Sequence, residues 1–182
     1  MTEQFSTEEK VISIAKDEII KEAKRIEENS LYSAKGHFVA AHFWDNFHLW
    51  IGIPTVVLAA VAGTAAFAKI DQNNFIAGAL SIVVVVLTAV ATFLNPKERS
   101  HTHLTSGNNY DSLLTRARMF WTIECRRENL EDALSAKLNS LSDERDRLNR
   151  ESPQVPKWAF KKARKGIEEG EASYKVDGKV ES

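Results

Sequence analysis

Two long apolar runs interrupt an otherwise charged chain. From Asn46 to Ala68 there is no Lys, Arg, Asp or Glu, and the one ionisable side chain is His48, near the edge. From Phe75 to Leu94, twenty residues carry no ionisable group at all. Between them lies the short polar stretch Lys69 to Asn74. A helix rises about 1.5 Å per residue, so twenty residues reach about 30 Å, the hydrocarbon thickness of a bilayer. Neither run keeps the charged face of a surface helix. The pattern predicts an all-α membrane protein built on a two-helix transmembrane hairpin. Its spans are residues 47–68 and 75–94, and residues 69–74 form the outer loop.

The flanks read as long amphipathic cytoplasmic helices before and after the hairpin. In the first, residues 1–46, Ser6 with Glu9 three residues on forms a capping box. Ile12, Ile19 and Ile26 then recur every seven residues, with Ala15 and Ala23 between them, a narrow stripe fit for one partner helix. Tyr32, Phe38, Phe43, Trp44, Phe47 and Trp50 follow, either as a membrane-interface belt or as a buried aromatic cluster. After the second span, Asn95 can cap, Pro96 suits the first helical position, and Glu98 sits at the third. Gly107 is expected to bend the chain, and a long helix is expected from Tyr110 to Arg150 within the region 95–150. Its Leu134, Leu138, Leu141 and Leu148 form a seam suited to the Ile stripe or to a copy of itself. Residues 151–182 read as a break at "ESPQVP", a short basic helix and a polar tail.

The formal net charge of −1 hides strongly charged flanks and gives no sign of nucleic-acid binding. The first 46 residues lack the apolar stretch of a secretory signal. Two spans place both termini on one side. Lys35, Lys97 and Arg99 flank the spans on that side, against Lys69 alone in the loop, which biases both termini to the cytoplasm. The single cysteine, Cys125, excludes an intrachain disulfide and reads as a bystander on a helix rather than a sensor thiol.

Little here points to catalysis. There is no phosphate-binding glycine loop, no dinucleotide fingerprint and no zinc-protease motif. His37 and His48 would lie about 16 Å apart along one helix, too far to share a metal, and His101 and His103 would diverge. The histidines are expected to mark a polar boundary. The cationic run Lys157, Lys161, Lys162, Arg164 and Lys165 is either a solvated face or a contact for anionic headgroups. Neither an enzyme nor a cofactor or metal site is expected.

Each span has a small-residue face. At about 100° per residue, Ser81, Thr88 and Thr92 fall with Ala77 and Gly78 on one side of the second span. On the first span, Thr55, Ala59, Ala62, Gly63 and Ala66 share a face. Such faces let helices approach closely in lipid, so they read as helix–helix interface, with pore lining as the competing role for Ser81, Thr88 and Thr92.

The stretch Tyr32 to Tyr110 resembles the SLATT proteins, two-span membrane effectors associated with bacterial nucleotide-signalling conflict systems. The likeness is carried by "YSAKGHFVAAHFW" with His37, by "GIPTVVLAAVAGTAAFA", and by "HLTSGNNYDSLLTRAR" with Gly107, Tyr110 and Leu113. The resemblance implies an antiphage effector of the bacterial inner membrane. Such an effector permeabilises the bilayer when a signal-producing or sensing partner, or a nucleotide, triggers it. Because a two-helix hairpin cannot enclose a pore alone, a homo-oligomer is expected. The alternative is a constitutive membrane-anchored scaffold without permeation activity.

Overall fold

The computed structural model describes residues 2–68, 75–127 and 131–174, with the side chains of residues 2–13 and 67–68 outside that description. All regular structure among the described residues is helical. Helix α1 runs unbroken over Thr2–Ala68, α2 over Phe75–Leu94 and α3 over Pro96–Met119. A π-helical turn, Phe120–Glu124, leads into the short α4, Cys125–Arg127; α5 (Glu131–Glu151) and α6 (Lys157–Glu168) follow. The expected outer loop, residues 69–74, and the end of the polar tail lie outside the described residues.

Several boundaries differ from the sequence reading. Helix α1 starts at Thr2, so Ser6 lies within the helix instead of capping it; residues 2–5 contain no Gly or Pro to stop the helix earlier. The helix continues through Pro54, whose ring nitrogen cannot donate and so frees the carbonyl of Trp50. Asn95 opens α3 through its backbone: with φ 43° it sits in the left-handed region, its N–H donates to the Ala91 carbonyl at 3.0 Å, and its carbonyl accepts from Arg99 N–H at 3.2 Å. Arg99 Nε also donates to the Leu94 carbonyl at 2.7 Å, a cation at the negative end of α2.

The chain divides into two compact units: Met1–Val39 with His103–Ser182, and Ala40–Thr102. In the first, α1 and α3 run antiparallel, as His37 meets His103 while Glu27 accepts from Trp121 Nε1–H. Helices α3 and α5 are also antiparallel: Tyr110 bonds Asn149, Arg116 pairs with Glu144, and Glu124 with Lys137. One core gathers Ile19, Ala23 and Ile26 with Leu113, Phe120, Leu134, Leu141 and Leu148, and Leu138 packs beside it. The described part of the Ile stripe and the Leu seam thus share a core within one chain, and the Ile12 side chain lies outside the described residues. Full burial of Ile26, Leu113, Leu148 and Phe120 is worth about 1.5–3 kcal/mol each.

The expected single helix from Tyr110 to Arg150 is interrupted. On a regular α-helix Phe120 and Cys125 would point about 140° apart. Cys125 N–H instead reaches back five residues to the Phe120 carbonyl, and the wider turn brings both side chains inward, each fully buried. Gly107 does not bend the chain either. It lies inside α3, where an added Cβ would sit 2.7 Å from Cε1 of Phe38, so its lack of a side chain serves close packing.

Candidate functional site

In the unit Ala40–Thr102, the two apolar helical segments are almost bare. About 6% of each apolar window is buried, whereas a soluble core helix would be mostly covered. Val56, Ile82, Val85 and Phe93 are among many large apolar side chains that stand exposed. Both segments are long and apolar enough to cross a membrane, and their exposure points to membrane association. The aromatic set of the sequence divides. Phe43 stacks on Phe47 at 6.0 Å, Trp44 meets both edge-on, and the Arg99 guanidinium lies 5.1 Å from the Trp44 ring centre. Trp50 is exposed. Tyr32 and Phe38 belong to the other unit, against Phe160 and Gly107.

The hydroxyl stripe has a specific hydrogen-bond state. Ser81 donates to the Ala77 carbonyl, Thr88 to that of Val84 and Thr92 to that of Thr88, each at 2.8 Å. Thr55 and Thr64 donate in the same way to Ile51 and Ala60. Each of these hydroxyls is satisfied by its own helix, four residues back, and needs no partner from another. On the first segment only Ala62 of the expected interface is buried; Thr55 is half-buried, while Ala59, Gly63 and Ala66 are exposed. A Cβ at Gly63 would meet nothing within 4 Å. Packing within the chain therefore uses Ala62, partly covers Thr55 and leaves Ala59, Gly63 and Ala66 open.

The other unit holds a polar cluster in its interior. His37 Nδ1 and His103 Nδ1 lie 2.9 Å apart, with the residues 2% and 6% exposed. One ring must donate and the other accept, so the two carry opposite tautomers at these nitrogens. Ligand bonds of about 2.0–2.1 Å in a tetrahedron would hold two nitrogens about 3.3 Å apart, so this contact is a hydrogen bond rather than half of a zinc site. The His37 ring also stacks on Tyr110 at 5.5 Å, and the Tyr110 hydroxyl bonds Asn149 Oδ1 at 2.9 Å. Burial, and then the neighbouring His103, push His37 down to about 4. Burial raises Tyr110, partly offset by the hydroxyl of Ser152. His37, Gly107, Tyr110 and Leu113 are all buried where α1 and α3 pack.

The expectation of boundary-setting histidines thus fails for His37 and His103, while His42 and His48 are exposed, His42 bonding Asn46 at 3.0 Å. Sequence reasoning missed the pair because it compared histidines along a single helix. The available signal was the expected hairpin itself: pairing its two arms in register would set His37 opposite Ser106, one helical turn from His103. Cys125 is a buried core thiol pushed upward by burial. Beside the cluster, Ser30, Tyr32, Tyr110, Arg145, Asn149 and Phe160 help line an open groove of about 610 Å³. Among the described residues no group of three His, Cys, Asp or Glu side chains is placed to hold a metal. No family model, curated protein or solved structure matches the chain.

Proposed function

We propose that the chain is a SLATT-like membrane effector of bacterial antiphage defence, which permeabilises the inner membrane when a signal-producing or sensing partner triggers it. The observation that carries this reading is the pair of apolar helices left almost uncovered, with hydroxyls and small residues along exposed faces. A lone anchor needs only apolar residues. The open face with Ala59, Gly63 and Ala66 offers, in addition, a surface on which copies of the hairpin can meet within lipid. Assembled hairpins would set Ser81, Thr88 and Thr92 around a narrow, uncharged passage. The closely packed unit of α1, α3, α5 and α6 serves as the cytoplasmic platform that receives the trigger.

Dye leakage and membrane potential, measured in cells with and without the trigger system, test this reading. Leakage that follows the trigger and the chain together is expected. Membrane localisation with intact potential under triggering would instead favour the constitutive scaffold. For topology, a cysteine at position 73 should label from outside and one at position 182 should not. Outside labelling at 182 would overturn the orientation.

A further inference from the structure

We infer that α6 is a docking surface for the anionic headgroups of the bilayer. The inference rests on the chain residing in a membrane, and not on leakage. Ala159, Ala163 and Gly166 form the buried side of α6. These small residues let the helix backbone lie close against its unit, and Gly170 closes the helix: with φ 90°, its N–H donates to Ile167 and that of Glu171 to Gly166, a Schellman pattern. The helix is therefore held, and its outer side is fixed in direction on the unit that carries it.

That outer side has an unusual composition. At about 100° per residue, Lys157, Lys161, Lys165, Trp158 and Lys162 share an arc of about 140° on the side away from Ala159 and Ala163, with Glu168 falling between Lys157 and Lys161. All five are exposed, Trp158 at 44%. The acidic residues nearby are already engaged: Glu168 with Arg164 at 2.8 Å and Glu169 with Lys165 at 3.6 Å. Lys157, Lys161 and Lys162 form no ion pair among the described residues. An indole set among lysines matches the headgroup layer, where the ring takes the apolar side and the lysine stems extend to phosphates. Cationic side chains near an anionic leaflet are attracted within a Debye length, so the contact should depend on salt. An acidic protein surface would satisfy the lysines alone, whereas a headgroup layer accommodates both the lysines and a partly exposed indole beside them.

The test uses the full chain with Trp44, Trp50 and Trp121 changed to Phe, so that Trp158 alone reports. The protein is reconstituted into vesicles of phosphatidylcholine, with or without phosphatidylglycerol, containing a lipid that bears a quencher at the headgroup boundary. Flotation with the vesicles first establishes membrane residence in both compositions. Quenching of Trp158 is expected to be at least about twofold stronger in the anionic vesicles and to fall when salt is raised from about 0.1 M to about 1 M. K157Q/K161Q/K162Q, all at exposed positions, should float equally and lose the anionic enhancement. Flotation with equal quenching in both compositions, or with quenching untouched by the lysine changes, overturns the docking surface alone. Failure to float overturns the membrane reading and this one with it. Enhancement that appears only when an acidic protein is added would assign α6 to a protein partner and reject the lipid.

Discussion

Acid should loosen the His37–His103 pair by a calculable amount. In an unfolded chain His37 has its ordinary value of 6.5; in the fold it is held at about 4. Above pH 6.5 the ring is neutral in both states, and its contribution to stability is fully present. As pH falls from 6.5 toward 4 the unfolded chain takes up a proton that the fold refuses, so stability is progressively lost, and below about 4 the loss is complete. One unit corresponds to about 1.4 kcal/mol, so the whole interval is worth about 3 kcal/mol, on the order of 10 °C in melting temperature for a chain of this size. Thermal melting of the detergent-solubilised chain by circular dichroism, from pH 7.5 to pH 4, measures it. Surface carboxylates also titrate in this range, so the control is H37Q/H103Q, in which paired amides keep a donor and an acceptor without titrating. The native chain should lose about 3 kcal/mol more than the variant across the interval. Parallel pH profiles for the two would refute the argument, because the buried His37 imidazole would then contribute nothing to acid sensitivity.

Gly107→Ala should destabilise the first unit by about 1–3 kcal/mol, since the new methyl would meet the Phe38 ring; Phe38→Leu in the same chain should restore part of it, as melting will show. Thr88→Val with Thr92→Val should leave cross-linked oligomers unchanged, because both hydroxyls bond their own helix, yet slow triggered leakage; normal leakage from the fully assembled variant would remove these residues from the mechanism. Gly63→Leu enters open space within one chain, so the melting temperature should hold while oligomer distribution and toxicity change; unaltered assembly and toxicity would show that this face meets no neighbour.

Periodicity carried the sequence reading a long way. Ile19, Ile26, Leu134, Leu141 and Leu148 could be placed on buried faces because a helix turns each of them back to the same side at intervals of about seven residues. The two apolar runs were legible from length and the absence of charge alone. Features that depend on a second helix were not. Gly107 resembles a bend until Phe38 is seen against it, and His103 resembles a boundary residue until His37 arrives from 66 positions away. The π turn was equally hidden, since its cause is the need to bury both Phe120 and Cys125, and neither residue type announces a change of pitch. The bonds of Ser81, Thr88 and Thr92 to their own helix were not legible either, since composition does not encode where a hydroxyl proton points.

That direction has a consequence for charge preference. A hydroxyl whose proton is committed to its own helix shows only oxygen lone pairs to its surroundings. In lipid this conceals a donor and makes a threonine nearly as acceptable as a valine. Around water, the same side chain is an electronegative point with no proton to offer an anion. A passage ringed by Thr88 and Thr92 would therefore stabilise small cations weakly and chloride not at all, despite having no formal charge. Ion-substitution recordings on triggered membranes should find the reversal potential following potassium, and one that follows chloride would mean the threonine protons had left the backbone.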